Sequence, residues 1–315
     1  MFTSRRDFLK RIAAAGIVVP FSQWPLDSFA SATPPDQLEV HVFSKHLQFL
    51  DYKETGAAAA EIGFSGVDLT VRPKGHVLPE AVKKELPKAI QEITQSGVKC
   101  ELITTRIKSA ANTEDREVIS VAASEGVKYY RSDWFKYLKD RPMMDSLEFY
   151  QDELKKLSTF NSGHNIIGCY QNHAGTSIGS SYWEVETILN TVDPKYFGTQ
   201  YDIRHAVVEG GLSWVNGLEL LSKKIKTIVL KDFKWGKVNG KPAIINVPIG
   251  EGMVDFDRYF KLLKKYQLSP PVSLHLEYPL GGAEKGQYSI SLDKKVVFDA
   301  MKKDLQAIQE RWKNA

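Results

Sequence analysis

Two pairs of polar residues stand two positions apart at the ends of otherwise apolar, β-rich runs: Gln171 with His173, and His275 with Glu277. In an extended strand that spacing puts both members of a pair on one side, so each pair can point into one cavity. Similar runs end in Asp68 and Arg72, in Arg131, in Asp202-Ile203-Arg204-His205 and in Lys231-Asp232. Imidazoles, carboxylates and a lysine gathered on one rim suit metal-assisted acid–base chemistry. Asp202, Glu277, His173 and His275 make a mixed nitrogen–oxygen donor set of the kind that takes Mn²⁺, Co²⁺, Zn²⁺ or Mg²⁺. A divalent ion there would polarise a sugar ketone, and a carboxylate would then remove the proton from the neighbouring carbon. Glu277 is the expected base, with His173 as a second acid–base group. Lys231 is the cation that would polarise the carbonyl if no metal does. Asp68, Arg72, Arg131, Gln171, Arg204 and His205 are the expected substrate-binding residues. Taken singly, each has an ordinary structural use: Asp51 and Asp255 read as helix caps, and Arg131 could simply pair with Asp133.

The elements that would position these residues repeat one unit. β-rich runs cover Leu38–Ser44, Gly66–Val71, Val98–Thr105, Val127–Ser132, Asn165–Gln171, Phe197–Asp202, Ile225–Lys231 and Pro271–Glu277. Several are continuously apolar, as strands buried on both faces of a parallel sheet are. Helical patterns lie between them, at Asp51–Ile62, Pro79–Gln95, Ser146–Thr159, Trp183–Leu189, Trp214–Lys223, Phe256–Tyr266 and Leu292–Trp312. The alternation predicts a single-domain (β/α)8 TIM barrel over residues 33–315, with its site at the C-terminal strand ends. A doubly wound open sheet is the competing fold, and it lacks a Gly-x-Gly-x-x-Gly turn after the first strand. The segment Lys234–Gly250 interrupts the rhythm, and its Asn239-Gly240 predicts a type I′ hairpin on the catalytic rim. It is either a substrate lid or a surface elaboration.

Composition narrows the partners. Of the 315 residues, 43% are hydrophobic and 25% charged, which suits a globular chain. The net charge is only +4 and no long basic run stands out, so nucleic acid is not an expected partner. Two cysteines, Cys100 and Cys169, are too few for a disulfide scaffold and read as buried thiols. No apolar stretch is long enough for a lasting membrane anchor. Arg5-Arg6, a short apolar run and Ala30-Ser31-Ala32 follow in the order of a twin-arginine export signal. Residues 1–32 are therefore expected to direct the protein to the periplasm and to be cleaved near Ala32. The expected ligand is a small carbohydrate, and a homo-oligomer is left open.

The mature chain resembles the sugar phosphate isomerase/epimerase family, the xylose isomerase-like TIM barrels. The resemblance rests on Gly63-Phe64-Ser65-Gly66-Val67-Asp68, Asn172-His173, Asp202-Ile203-Arg204-His205, Lys231-Asp232, Gly250-Glu251-Gly252-Met253-Val254-Asp255-Phe256 and Glu277. It implies a sugar isomerase or epimerase holding one divalent ion. The family's ligands are a strand-five Glu, the Asp of Asp-x-x-His, a His before Lys-Asp and the last-strand Glu. Asp202 and Glu277 match two of these; Gln171 and Val229 stand at the other two. Losing one carboxylate weakens two-base epimerisation and favours a lyase acting by β-elimination on a 3-keto-glycoside. A carbohydrate-binding barrel without chemistry is the non-enzymatic alternative.

Overall fold

The computed structural model describes residues 35–315; the expected export signal, residues 1–32, lies outside them. In chain order the strands are β1 (Val40–Phe43), β2 (Gly66–Val71), β3 (Lys99–Thr105), β4 (Tyr129–Arg131), β5 (Ile167–Gln171), β6 (Phe197–Asp202), β7 (Ile225–Leu230), β8 (Asp232–Val238), β9 (Lys241–Val247) and β10 (Val272–Leu274). β1 to β7 pair in sequence, all parallel, and β10 closes the ring between β7 and β1. This is the (β/α)8 barrel that the alternating pattern predicts. All eight runs form barrel strands. The last strand is shorter than its run, so His275 and Glu277 lie just beyond β10, on the rim.

The outer layer comprises α1 (Tyr52–Ile62), α2 (Val82–Thr94), α3 (Thr113–Ser124), α4 (Met143–Ser162), α5 (Tyr182–Ile188), α6 (Ile203–Gly210), α7 (Trp214–Leu221), α8 (Phe256–Lys265) and α9 (Lys294–Asn314). Asp51 and Asp255 cap α1 and α8, accepting from the backbone N–H of Glu54 and Arg258 at 2.8 and 3.0 Å. Neither α3 nor α6 is among the sequence-predicted helices. α3 buries only Val118, Ile119 and Ala122 and is set instead by its Asn112 cap. α6 starts directly off β6 with Asp202 as cap, leaving no loop to mark the boundary.

Branched apolar residues normally fill the inside of such a barrel. Here one interior level is polar: Asp68 accepts hydrogen bonds from Thr104 Oγ1 at 3.0 Å and Ser273 Oγ at 2.6 Å. β8 and β9 form the expected antiparallel hairpin, with Val238 opposite Lys241. Asn239 and Gly240 have φ of 51° and 77°, the positive values a type I′ turn requires. Both cysteines are buried free thiols, raised by burial to about 12. Among the described residues no helix is long and apolar enough to cross a membrane.

Candidate active site

The site is organised around a buried cation. β7 delivers Lys231 at its C-terminal end, 3% exposed. Its Nζ lies 2.9 Å from His205 Nε2, 3.2 Å from Asp202 Oδ2 and 3.5 Å from Glu277 Oε1. The first two are hydrogen-bond distances and the third is long for one. The N–H facing Glu277 is thus the one a substrate oxygen can claim.

Asp202 is committed to structure at both oxygens. Oδ1 caps α6 by accepting from the His205 backbone N–H at 3.1 Å. Oδ2 accepts from Gln171 Nε2 at 2.8 Å and faces Lys231. The Asn172 amide brackets the Asp202 backbone on both sides, at 2.9 and 2.7 Å. His205 lies between two cations, with Arg204 Nη1 3.0 Å from Nδ1 and Lys231 Nζ beside Nε2. A neutral imidazole has one lone pair, so only one of the two donates to it. Burial, then the charges of Lys231, His173 and Arg204, hold its pKa well below the usual value.

Glu277 is the one carboxylate lining the inner cavity among the described residues, with its side chain 26% exposed. Burial works to raise its pKa, but the charge of Lys231, joined by that of Lys45, outweighs burial and holds the group well below 4.5. It is therefore ionised at neutral pH. Behind it, His275 stacks on Phe43 at 4.2 Å, and its Nδ1 lies 3.8 Å from Glu277 Oε1 without a hydrogen bond. His275 Nε2 is 3.1 Å from Ser273 Oγ, and the Ser273 hydroxyl proton is directed to Asp68. Ser273 must then accept from Nε2–H, which leaves the Nδ1 lone pair aimed at Glu277. A proton taken up by Glu277 has an acceptor waiting there.

Ten residues line an inner cavity of about 80 Å³. Of the sequence-predicted site residues, Glu277, Lys231, His173, His275, Gln171, Arg72 and Arg131 are among them. Asp202 and His205 lie beneath it, touching Lys231. Asp68 does not reach it, because it sits one level down with its oxygens taken by Thr104 and Ser273. Arg204 turns away, donating to Asn246 Oδ1 at 2.7 Å with its guanidinium over Phe233. Asn246 in turn donates to the Glu277 carbonyl at 3.3 Å, so the base of the hairpin anchors the site. His46 is structural: Nε2 accepts from the Leu276 N–H, and Nδ1 faces the Ala283 carbonyl.

The expected metal ligands do not assemble into a donor set. Among the described residues no group of three or more His, Cys, Asp or Glu side chains could hold an ion. The Lys231 ammonium occupies the position shared by Asp202 and Glu277. The Gln171 amide donates to the Asp202 oxygen an ion would need, and Val229 supplies no donor. His173 points Nδ1 at the Ala174 carbonyl, 2.8 Å away, and packs between Trp134 and His205. These residues do not fit a resident divalent ion.

Asp232, next to Lys231, accepts from four backbone N–H groups, those of Phe233, Val254, Gly250 and Gly252, at 2.8 to 3.2 Å. This explains the Gly-x-Gly spacing. A Cβ on Gly252 would stand 2.3 Å from Asp232 Oδ1, and Gly250 has φ of +84°. Sequence reasoning missed Lys45, Phe43 and Lys285 as lining residues. Lys45 was visible as a strand-end lysine, while Phe43 reads as plain core and Lys285 comes from a loop with no periodic signal. Trp134 also lines the cavity, whereas Tyr170 is core.

A (β/α)8 barrel with an acid–base site at the C-terminal strand ends describes the class. The profile of the xylose isomerase-like TIM barrels matches residues 57–293, and the chain belongs to that family. Among solved structures it is similar to the IOLI protein with a bound zinc atom (TM-score 0.68, 18% identity, covering 87% of this chain and 99% of that one). It is also similar to a D-allulose 3-epimerase from Methylomonas sp. (0.63, 14%, 89% and 99%). A third is the probable 3-DHS dehydratase from Bacillus anthracis (0.63, 14%, 86% and 98%). No curated protein is matched by the sequence.

Proposed function

We propose that the protein is a carbohydrate enzyme that removes a proton α to a carbonyl, with Glu277 as base and the Lys231 ammonium as the polarising group. The observation that carries this reading is the Lys231 Nζ position, 3.5 Å from Glu277 Oε1 and tied to Asp202 and His205. A keto-sugar binds with its carbonyl oxygen against the free Lys231 N–H. Glu277 takes the α-proton, the C–H electron pair moves into a C=C bond, and the carbonyl electrons pass to oxygen. The enolate forms beside a fixed positive charge in a site largely closed to water, where such stabilisation is worth most. Glu277 then returns the proton to the same carbon; or, once the neighbouring hydroxyl proton has passed to the enolate oxygen, to the former carbonyl carbon; or the enolate re-forms the carbonyl and expels a β-substituent, which leaves with its electron pair and takes up the Glu277 proton.

One observation favours the last outcome. A single carboxylate lines the cavity, and Asp202 is buried beneath it with both oxygens engaged. One base suffices for β-elimination or for shifting a carbonyl to the adjacent carbon. Inverting a stereocentre needs a proton donor on the opposite face. A lyase or a one-base isomerase is thus the preferred form of this activity. The sequence resemblance implies a divalent ion as the polarising group; the donor set supports Lys231 in that task instead.

The test is NMR of a ketose in D₂O with purified protein. Exchange of the α-proton in wild type, lost in Glu277→Gln and in Lys231→Met, supports the reading. Sugar binding without exchange in wild type replaces it with a non-catalytic carbohydrate-binding barrel. Export belongs to the same proposal: lysines at Arg5 and Arg6 should hold the precursor in the cytoplasm, and an unchanged periplasmic yield would remove it.

A further inference from the structure

The inner cavity opens into an outer chamber of about 330 Å³. The inner space alone is smaller than the ~300–1,000 Å³ usual for a ligand pocket, so a sugar reacting at Glu277 extends into the chamber. Four residues line both spaces and form the neck between them: Lys45, Arg72, Arg131 and Trp134. Three are cations and none is an acid. Among the described residues no carboxylate pairs with Arg72; its guanidinium lies 5.5 Å from the Phe43 ring centroid. Arg131 is 4% exposed and its guanidinium is stacked 4.3 Å from the Trp134 ring centroid; Nη2 donates to the Thr105 carbonyl at 3.2 Å and Nη1 reaches Gln171 Oε1 at 3.5 Å, each keeping a second N–H, and Nε has no hydrogen-bond partner. Of the acids near the neck, Asp133 pairs with Arg106 and Lys108 at 3.2 and 3.1 Å, and Glu277 lies 3.5 Å from Lys231, its charge also felt at Lys45.

Ammonium and guanidinium groups donate and cannot accept. A neutral sugar hydroxyl both donates and accepts, and a site for it mixes carboxylates or amides with donors. This neck offers donors only. Burial lowers the pKa of all three cations; Lys231 and Arg72 lower Lys45 further and Arg72 lowers Arg131, while Glu277 offsets part of this at Lys45 and Asp68 and Asp133 offset part of it at Arg72 and Arg131. Like charges held together at the mouth of a low-dielectric site are unfavourable until an anion joins them.

Resting on the proposed proton abstraction at Glu277, we infer that the substrate is an anionic carbohydrate whose oxyanion, a carboxylate or a phosphate, is bound at the neck by Lys45, Arg72 and Arg131. The planar fork of Arg131, fixed against Trp134, suits two-oxygen recognition of either group.

Three ketoses test this in parallel: D-fructose, 5-keto-D-gluconate and D-fructose 6-phosphate. Binding is read by calorimetry and α-proton exchange by NMR. At least one anionic sugar should bind about tenfold or more tighter than D-fructose, by virtue of charge-assisted hydrogen bonds. Arg72→Met and Lys45→Met should each narrow that gap, and added salt should weaken only the anionic sugars. The tighter of the two names the oxyanion. D-fructose binding as tightly as both, or a gap unchanged in both variants, overturns the inference. Exchange with D-fructose alone would also overturn it while sustaining the proposed chemistry. Anionic preference without exchange of any sugar would overturn the chemistry and leave the binding site standing.

Discussion

Gln171 donates from Nε2 to Asp202 Oδ2 at 2.8 Å, and the same oxygen faces the Lys231 ammonium at 3.2 Å. Asp202 therefore meets its charge requirement inside the protein. An ion placed on it would have to displace an amide hydrogen and stand against a fixed positive charge. At the short range of this buried group, that repulsion is only weakly screened.

The first expected outcome concerns metal removal. Protein dialysed against EDTA should keep its ketose α-proton exchange, and elemental analysis should find well under one divalent ion per chain. One equivalent of metal, with exchange lost on chelation and restored by the ion, would return Asp202 and Glu277 to the role of ligands.

Replacing Lys231 removes the charge that faces the developing enolate. Lys231→Met should slow exchange by about 10²–10³-fold, the usual cost of losing one preorganised donor to an oxyanion. It should also move the Glu277 carboxyl upward, since Lys231 is the strongest of the influences lowering it. The two effects separate experimentally. The exchange rate reports the first, and a carboxyl resonance followed through the acid range reports the second. A variant with a wild-type rate would transfer the polarising role to another cation on the rim.

Glu277→Gln keeps the shape of the side chain and its packing by His275. Ketose binding should persist while exchange falls by about 10²–10⁴-fold, the range of a general base. Because Glu277 is held well below 4.5, it remains ionised through the neutral range. Wild-type exchange should then show no acid limb from this group near pH 6. Near wild-type exchange in the variant would move the base to His173, the other acid–base candidate on the cavity wall.

Much of this was legible because strand periodicity and strand ends are local properties. The eight runs, the Asn239-Gly240 hairpin and the gathering of Glu277, Lys231, His275 and Gln171 follow from them. Depth along the barrel axis was not legible. Asp68 and Gln171 both point inward, but register with β3 sets Asp68 opposite Leu102, one level lower, where Thr104 and Ser273 consume its oxygens. Arg204 could be placed on the rim but not aimed, since Asn246 from the hairpin draws it aside. The position of Lys231 was hidden for a related reason. Composition lists donors, whereas the Lys231 ammonium between Asp202 and Glu277 is a matter of three-dimensional placement.

The last prediction is the pH dependence of stability. Burial lowers the pKa of His41, His76 and His275 from 6.5 to about 4. Between those values the unfolded chain binds protons that the folded chain refuses, so stability rises with pH through the window and is complete above 6.5. His41 and His275, both buried, contribute up to ~1.4 kcal/mol each per pH unit there, and the half-buried His76 contributes less. Asp304 acts in the opposite sense. Burial raises it from 3.8 to about 6, although Tyr278 and the Ile249 N–H donate to it. Its folded form holds a proton that the unfolded chain releases, so its contribution falls as pH rises from 3.8 to 6. The histidines outnumber it, and the melting temperature should drop steadily from pH 7 to pH 4.5. Asp304→Asn removes the opposing contribution and should steepen that drop. A melting temperature flat across this range would contradict the assignment of buried neutral imidazoles, and a slope unchanged by Asp304→Asn would contradict the raised Asp304 carboxyl. The same titration bears on activity. Glu277 is ionised throughout the window, so the loss of exchange on acidification should track unfolding, with its midpoint shifting when Asp304 is replaced.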